Sequence, residues 1–193
     1  MEVKNPCVIF IGSSGAGKST VMQKCLEEKW PNGWQVEKLH KITSRPSHDP
    51  LGDHEEFRTT NELREMYATE LLGVLTEKFG HLYAVPKISM LHTPRTLYVQ
   101  CMPTDTIRLL RESGEYAVYG CLFEISPEVA RTRVLSRQRE VSEPELAARL
   151  VAGQAPRLYQ AADKVVSAER EIEAVFADVR DWMISLMSTS EGK

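Results

Sequence analysis

The stretch from Cys7 to Thr20 constrains this chain more than any other. Cys7-Val8-Ile9-Phe10-Ile11 is an unbroken apolar run that stops at a glycine-rich turn. A short apolar run without polar alternation reads as a strand buried on both faces, as in a parallel sheet covered by helices. Val21, Met22, Cys25 and Leu26 then recur on one helical face, and Pro31-Asn32-Gly33 stops that helix. Between strand and helix lies Gly12-Ser13-Ser14-Gly15-Ala16-Gly17-Lys18-Ser19, which fits GxxxxGK[ST] at every fixed position. Glycines let the backbone curl until several N–H groups converge on an anion. The helix behind them adds partial positive charge at its N-terminus. The pattern therefore predicts a phosphate loop. Residues Gly12 to Thr20 would hold a nucleoside triphosphate, Lys18 would reach its outer phosphates, and Ser19 would ligate Mg²⁺.

Further buried-strand candidates are Leu97–Gln100 and Ala117–Ile125, and Lys164–Val166 is a short last one. Trp34 to Ile42 alternates loosely enough for one more strand. Thr60 to Leu72 reads as a helix with Leu63, Met66, Tyr67, Leu71 and Leu72 along one side. Val74–Thr76 and His81–Val85 suggest a hairpin around Gly80. Thr104–Glu112 suits a helix. Ser126-Pro127 opens another, with Ser126 as N-cap, and Ser142 with Glu145 resembles a capping box. Glu169 to Met187 is a long amphipathic helix. Strands alternating with helices predict an α/β fold, a parallel sheet with helices on both faces.

At 193 residues this is one domain, expected over 1–188 with a frayed tail at 189–193. Acidic residues number 27 and basic residues 24, a net charge of −3 that argues against a nucleic-acid-coating protein. Cys7, Cys25, Cys101 and Cys121 form no CxxC pair, so reduced, mostly buried thiols and a cytoplasmic location are expected. No apolar run reaches the length of a membrane span, and no signal peptide is evident. His40, His48, His81 and His92 show no metal-ligand spacing. No Asn-Lys-x-Asp guanine motif is present. Asp49-Pro50-Leu51-Gly52 spells DxxG, but in a proline-rich loop, and no strand candidate ends in an obvious Walker B aspartate.

Beyond the loop the chain resembles the guanylate-kinase branch of the P-loop nucleoside monophosphate kinases. Thr43-Ser44-Arg45-Pro46 resembles that branch's TTRP segment, and Gly80-His81-Leu82-Tyr83 resembles its GNLYG segment. Arg133-Val134-Leu135-Ser136-Arg137-Gln138-Arg139, followed by Leu146-Ala147-Ala148-Arg149-Leu150, resembles its lid and the helix after it. A sister family, ribose 1,5-bisphosphate phosphokinase, is similar in the middle of the chain. Ile42-Thr43-Ser44-Arg45-Pro46 leads to Asp53-His54-Glu55 there, and Tyr83-Ala84-Val85-Pro86 resembles that family's YGIP.

The resemblance implies a three-layer P-loop NTPase fold with an acceptor-binding subdomain near 36–92 and a lid near 133–149. It implies ATP and Mg²⁺, a small phosphorylated acceptor, no nucleic acid or membrane partner, and a monomer or homodimer. Arg45 and Tyr83 would hold the acceptor's phosphate, with His54 and Glu55 on the rest of the acceptor. Lys18, Arg137 and Arg149 would act on the transferring phosphoryl group, and Arg133 would bind the nucleotide. The carboxylates with which guanylate kinases read guanine are replaced by Val74 and the Tyr98–Gln100 stretch. That substitution favours ribose 1,5-bisphosphate over GMP. A guanine reader would otherwise fall to backbone groups or to Gln100 and Thr76. A guanylate-kinase-like binding module without catalysis is the alternative of another class, and the intact Lys18-Ser19 argues against it.

Overall fold

β1 (Pro6–Gly12) is the middle strand of a five-stranded sheet in which every ladder is parallel. The computed structural model describes residues 4–46, 56–87, 93–136, 143–153 and 155–191. On one side of β1 lies β7 (Thr96–Cys101), with β2 (Gln35–Lys38) outside it. On the other side lies β8 (Ala117–Glu124), with β9 (Lys164–Ser167) at the edge.

The apolar run of β1 has a simple cause: both of its faces are covered. Val8 and Phe10 pack into a core with α1 (Lys18–Glu27) and α7 (Ile172–Glu191). Cys7, Ile9 and Ile11 enter a second core on the opposite face, with α3 (Asp105–Ser113) and α6 (Pro156–Ala161). β8 divides the same way, Phe123 to one face and Leu122 to the other. The rings of Phe10 and Phe123 meet with centroids 5.1 Å apart. Helix, sheet and helix thus form three layers.

A second sheet has the order β4 (Glu56–Phe57), β3 (Ile42–Thr43), β6 (His81–Pro86), β5 (Leu72–Lys78). α2 (Thr60–Ala68) covers it, and Leu63 packs with Ile42, Leu72, Leu82 and Ala84. The chain passes from one sheet to the other through Leu39-His40-Lys41, which is tied to the end of β7. The Leu39 N–H donates to Val99 O at 3.0 Å, Gln100 Nε2 donates to Leu39 O at 2.8 Å, and Lys41 Nζ donates to Cys101 O at 3.0 Å. No described helix is long and apolar enough to cross a membrane.

Several sequence expectations need correction. Trp34 to Ile42 is not one strand; β2 and β3 belong to different sheets, because the chain must turn at Leu39 to leave β7. The helix expected over Thr60–Leu72 ends at Ala68. Leu72 pairs with Pro86 in the small sheet, Glu70 takes a positive φ to make the turn, and Leu71 is exposed. Its start is a capping box formed by Thr59 and Glu62, a signal the sequence carries openly. Ser126 stands at the N-cap of α4 (Pro127–Leu135), but its hydroxyl makes no cap; its N–H instead donates to Glu169 Oε1 at 2.8 Å. The Ser142 half of the second expected capping box lies outside the described residues, before α5 (Glu143–Ala152). α7 begins at Ile172 and continues to Glu191, through most of the tail expected to fray.

Leu110 on α3 is fully buried against the sheet and remote from the glycine loop. Leu110→Ala should lower the unfolding free energy by about 2–5 kcal/mol, the usual range for a leucine cut back in a packed core. Urea denaturation followed by circular dichroism checks it.

Candidate active site

The loop after β1 is held by close packing beneath it. Gly12 has φ 128°, and a Cβ there would stand 2.6 Å from Phe123 O on β8. Gly15 has φ 84°, and its Cβ would stand 2.9 Å from Ala130 O on α4. Any side chain at either position would push the loop off its supports. Lys18 lies across the curl, with Nζ donating to Gly12 O at 3.0 Å and to Ser13 O at 2.5 Å.

α1 starts from Gly17 with no side-chain cap and no acidic residue in its first turn. A cap or a carboxylate there would compete with a bound anion for the same N–H groups. Ser19 and Thr20 are exposed on that turn. The Ser13 hydroxyl is buried, and its oxygen has no hydrogen-bond partner among the described residues. Leaving such a group unpaired costs about 1–3 kcal/mol. An ammonium, an uncapped helix start and an orphaned hydroxyl on one curled loop suit the phosphates of a nucleoside triphosphate. Among the described residues no group of three His, Cys, Asp or Glu could cage a metal. The exposed Ser19 hydroxyl is a hard oxygen donor of the kind Mg²⁺ takes alongside substrate phosphates.

The small sheet positions the second set of residues. Thr43 Oγ1 donates to Leu82 O at 2.9 Å and accepts from the Arg45 N–H at 3.1 Å. The Ser44 N–H donates to Leu82 O at 3.0 Å, while Ser44 Oγ accepts from the Leu82 N–H at 2.9 Å. Ser44 thereby anchors the start of the Arg45 turn to β6. Tyr83 stands directly opposite Thr43 in the ladder and is half-buried, as is Arg45. The structure therefore places Arg45 two residues past β3 and Tyr83 on the neighbouring β6.

Arg133 stands on α4 with its Cβ near Gly15, and its Nη1 donates to Ala168 O at 2.7 Å. Its place is at the base of the loop, beside the end of β9. Arg137, His54 and Glu55 lie outside the described residues, as do Asp53 and the Arg149 side chain, although Arg149 itself falls within α5.

Gln100 and Thr76 are already engaged within the fold. The Gln100 amide is 1% exposed, donating to Leu39 O and accepting from the Cys101 N–H. Thr76 Oγ1 is 3.2 Å from Thr106 Oγ1 on α3. Two residues at this edge have no signature in the sequence. Lys41 is buried at the end of β7. Glu124, the last residue of β8, accepts from Tyr159 Oη at 2.6 Å, and that bond holds the tyrosine's pKa above its ordinary value.

No family model and no curated protein matches the chain. Solved structures do. A guanylate kinase from Anaplasma phagocytophilum superposes with a TM-score of 0.66 at 16% identity, over 100% of this chain and 89% of that one. A gluconokinase from Sinorhizobium meliloti superposes with a TM-score of 0.52 at 16% identity, over 98% of this chain and 97% of that one. The chain has the fold of these P-loop kinases.

None of the four cysteines is in a disulfide, and of the four only Cys101, at the end of β7, is partly exposed. Burial pushes the Cys25 thiol up to about 12, with the nearby Cys101 and Glu28 adding to the rise, and burial raises Cys7 and Cys121 further. Thiolate is the form that alkylates. Iodoacetamide at pH 8 should therefore label Cys101 alone in the native protein and all four cysteines in urea. Peptide mass spectrometry reads the result.

Proposed function

We propose that this protein is an ATP-dependent kinase that phosphorylates the phosphate group of a small acceptor, with ribose 1,5-bisphosphate as that acceptor and 5-phosphoribosyl diphosphate as product. One observation carries the proposal: the glycine loop and the strand leading to Arg45 both depart from the C-terminal edge of one parallel sheet. Phe10, two residues before the loop, pairs with Cys101, and Cys101 O holds Lys41 at the start of β3. Ligands of open α/β sheets bind in the crevice at that edge, where the strand order reverses.

Phosphoryl transfer asks little covalent chemistry of a protein. It needs two anions held in line with their repulsion offset. An oxygen of the acceptor phosphate attacks the γ-phosphorus, the bond from that phosphorus to the β–γ bridging oxygen breaks, and ADP leaves with the bond's electrons. No general base is required when the acceptor oxygen is already ionised. Lys18 and the start of α1 hold the donor's phosphates, and Arg45 with Tyr83 holds the acceptor's. Ser19 would hold Mg²⁺, which would supply positive charge against the donor's phosphates. Arg137 and Arg149 would act on the transferring phosphoryl group in this scheme, with Arg133 supporting the loop from α4. The reduced cysteines suit an enzyme of the cytoplasm.

GMP is the second candidate acceptor, favoured by the likeness to a guanylate kinase. Against it, the side chains at the expected base-reading positions are apolar or already engaged: Val74 is buried in the core and Gln100 is bonded on both sides of its amide. A buried site that pairs a base edge loses discrimination when such partners are missing.

ADP release measured with ribose 1,5-bisphosphate, GMP, dGMP, AMP, UMP and CMP decides between them. Turnover of the sugar bisphosphate should exceed that of every nucleotide; turnover of GMP alone would reverse the assignment, and no turnover with any acceptor would refute the kinase. Lys18→Ala should reduce kcat by several orders of magnitude with an unchanged circular dichroism spectrum. Arg45→Ala should raise the acceptor KM by roughly 10- to 100-fold, the worth of a charged hydrogen bond, and leave the KM for ATP unchanged. Steady-state kinetics with each substrate varied in turn checks both.

A further inference from the structure

The glycine loop is braced from above as well as from beneath. Gly153 follows α5, and its N–H donates to Leu150 O at 3.1 Å. Its bare Cα lies directly on Ser13, the buried second residue of the loop. A Cβ on Gly153 would overlap the Ser13 hydroxyl outright, and would stand 2.7 Å from Ser13 Cβ and 3.0 Å from Ser13 Cα. Turning the hydroxyl aside would not relieve the overlap, because the Ser13 Cβ and backbone are in the way too. The φ of Gly153 is not positive, so an alanine could adopt its conformation and only space excludes one. Neither partner can simply move off. The loop is held below by Gly12 against Phe123 O and by Gly15 against Ala130 O. The turn is held by α5, where Leu146 is fully buried and Leu150 packs on the core under α1 and α7.

We propose that Gly153 is a positioning residue for the donor site. Its missing side chain lets the turn after α5 seat on Ser13, and so fixes the backbone N–H groups that would meet the donor's phosphates. This deepens the kinase proposal above and rests on its donor site, though not on the choice of acceptor. An anion site made of successive backbone N–H groups depends on their aim. A side chain at position 153 would press loop and turn apart. ATP would then bind only to the fraction of molecules in which the loop is restored, and its apparent affinity would fall by that fraction. Overpacking of this kind weakens binding by about 10- to 100-fold. Arg45 and Tyr83, at the small sheet, would be untouched.

A double-mutant cycle on positions 13 and 153, read by calorimetric titration with ATP and Mg²⁺, tests this. Gly153→Ala should raise the Kd for ATP by about 10- to 100-fold. Ser13→Gly removes the side chain that the added methyl group would meet. Gly153→Ala made in that background should therefore raise the Kd by less than about 3-fold. In steady-state kinetics with the acceptor that turns over, Gly153→Ala should leave the acceptor KM unchanged. A wild-type Kd in Gly153→Ala, an equal loss in both backgrounds, or a matching rise in the acceptor KM would show that Gly153 only ends α5, and would overturn the proposal. If Gly153→Ala does not fold, the double variant Ser13→Gly/Gly153→Ala decides. It should fold and bind ATP as Ser13→Gly does, and its failure to fold overturns the proposal. A wild type that binds no ATP removes the donor site and this inference with it. A wild type that binds ATP, with Gly153→Ala binding it equally, removes this inference alone.

Discussion

The structure depends on β1 being covered on both faces. Its side chains alternate between two cores, one under α1 and α7 and one under α3 and α6, so the strand cannot slide or tilt without opening one of them. That rigidity is passed to the glycine loop through contact rather than through hydrogen bonds alone. Gly12 sits against the backbone of Phe123, and Phe123 in turn packs its ring on Phe10. An anion site made of backbone N–H groups works only if those groups keep their aim without help from the ligand. The aim here is set by two aromatic rings and by the bare Cα of a glycine.

The second dependence is the short crossover between the sheets. Leu39, His40 and Lys41 leave β7 and start the small sheet, and three hydrogen bonds hold them to residues 99–101. Because Cys101 is level with Phe10 in the ladder, this places the root of the small sheet near the root of the loop. The glycine loop and the segment leading to Arg45 thus share one edge although some thirty residues separate them in the chain. The small sheet itself is stabilised separately, by Leu63 of α2 seated among Ile42, Leu72, Leu82 and Ala84. It can therefore vary in what it binds while the loop beneath stays as it is.

Polar groups inside the protein follow the same economy. Gln100 and Thr76 look from their chain positions like ligands for a base, yet each is spent on holding the fold. Ser13 is the reverse case, a buried hydroxyl on the glycine loop that the described residues leave unpartnered. Burial makes the difference costly in both directions, since a buried amide without partners destabilises and a buried hydroxyl without one is poised for a ligand.

The residues from Cys7 to Thr20 carried the parallel sheet, the loop and the helix behind it in plain view, because a strand buried on both faces and a phosphate loop each demand particular residues at particular spacings. The hairpin around Gly80 and the strands Leu97–Gln100 and Ala117–Ile125 were legible for the same reason. Where partners lie far apart in the chain, spacing is silent. The end of α2 is decided by Leu72 pairing with Pro86, against a helical pattern that runs on to Leu72. The failure of Ser126 to cap is decided by Glu169, and the burial of Lys41 by the carbonyl of Cys101. A lysine in a short polar stretch reads as a solvated side chain. Only the meeting of two sheets, which no local pattern encodes, turns it into a buried cation tied to the end of β7.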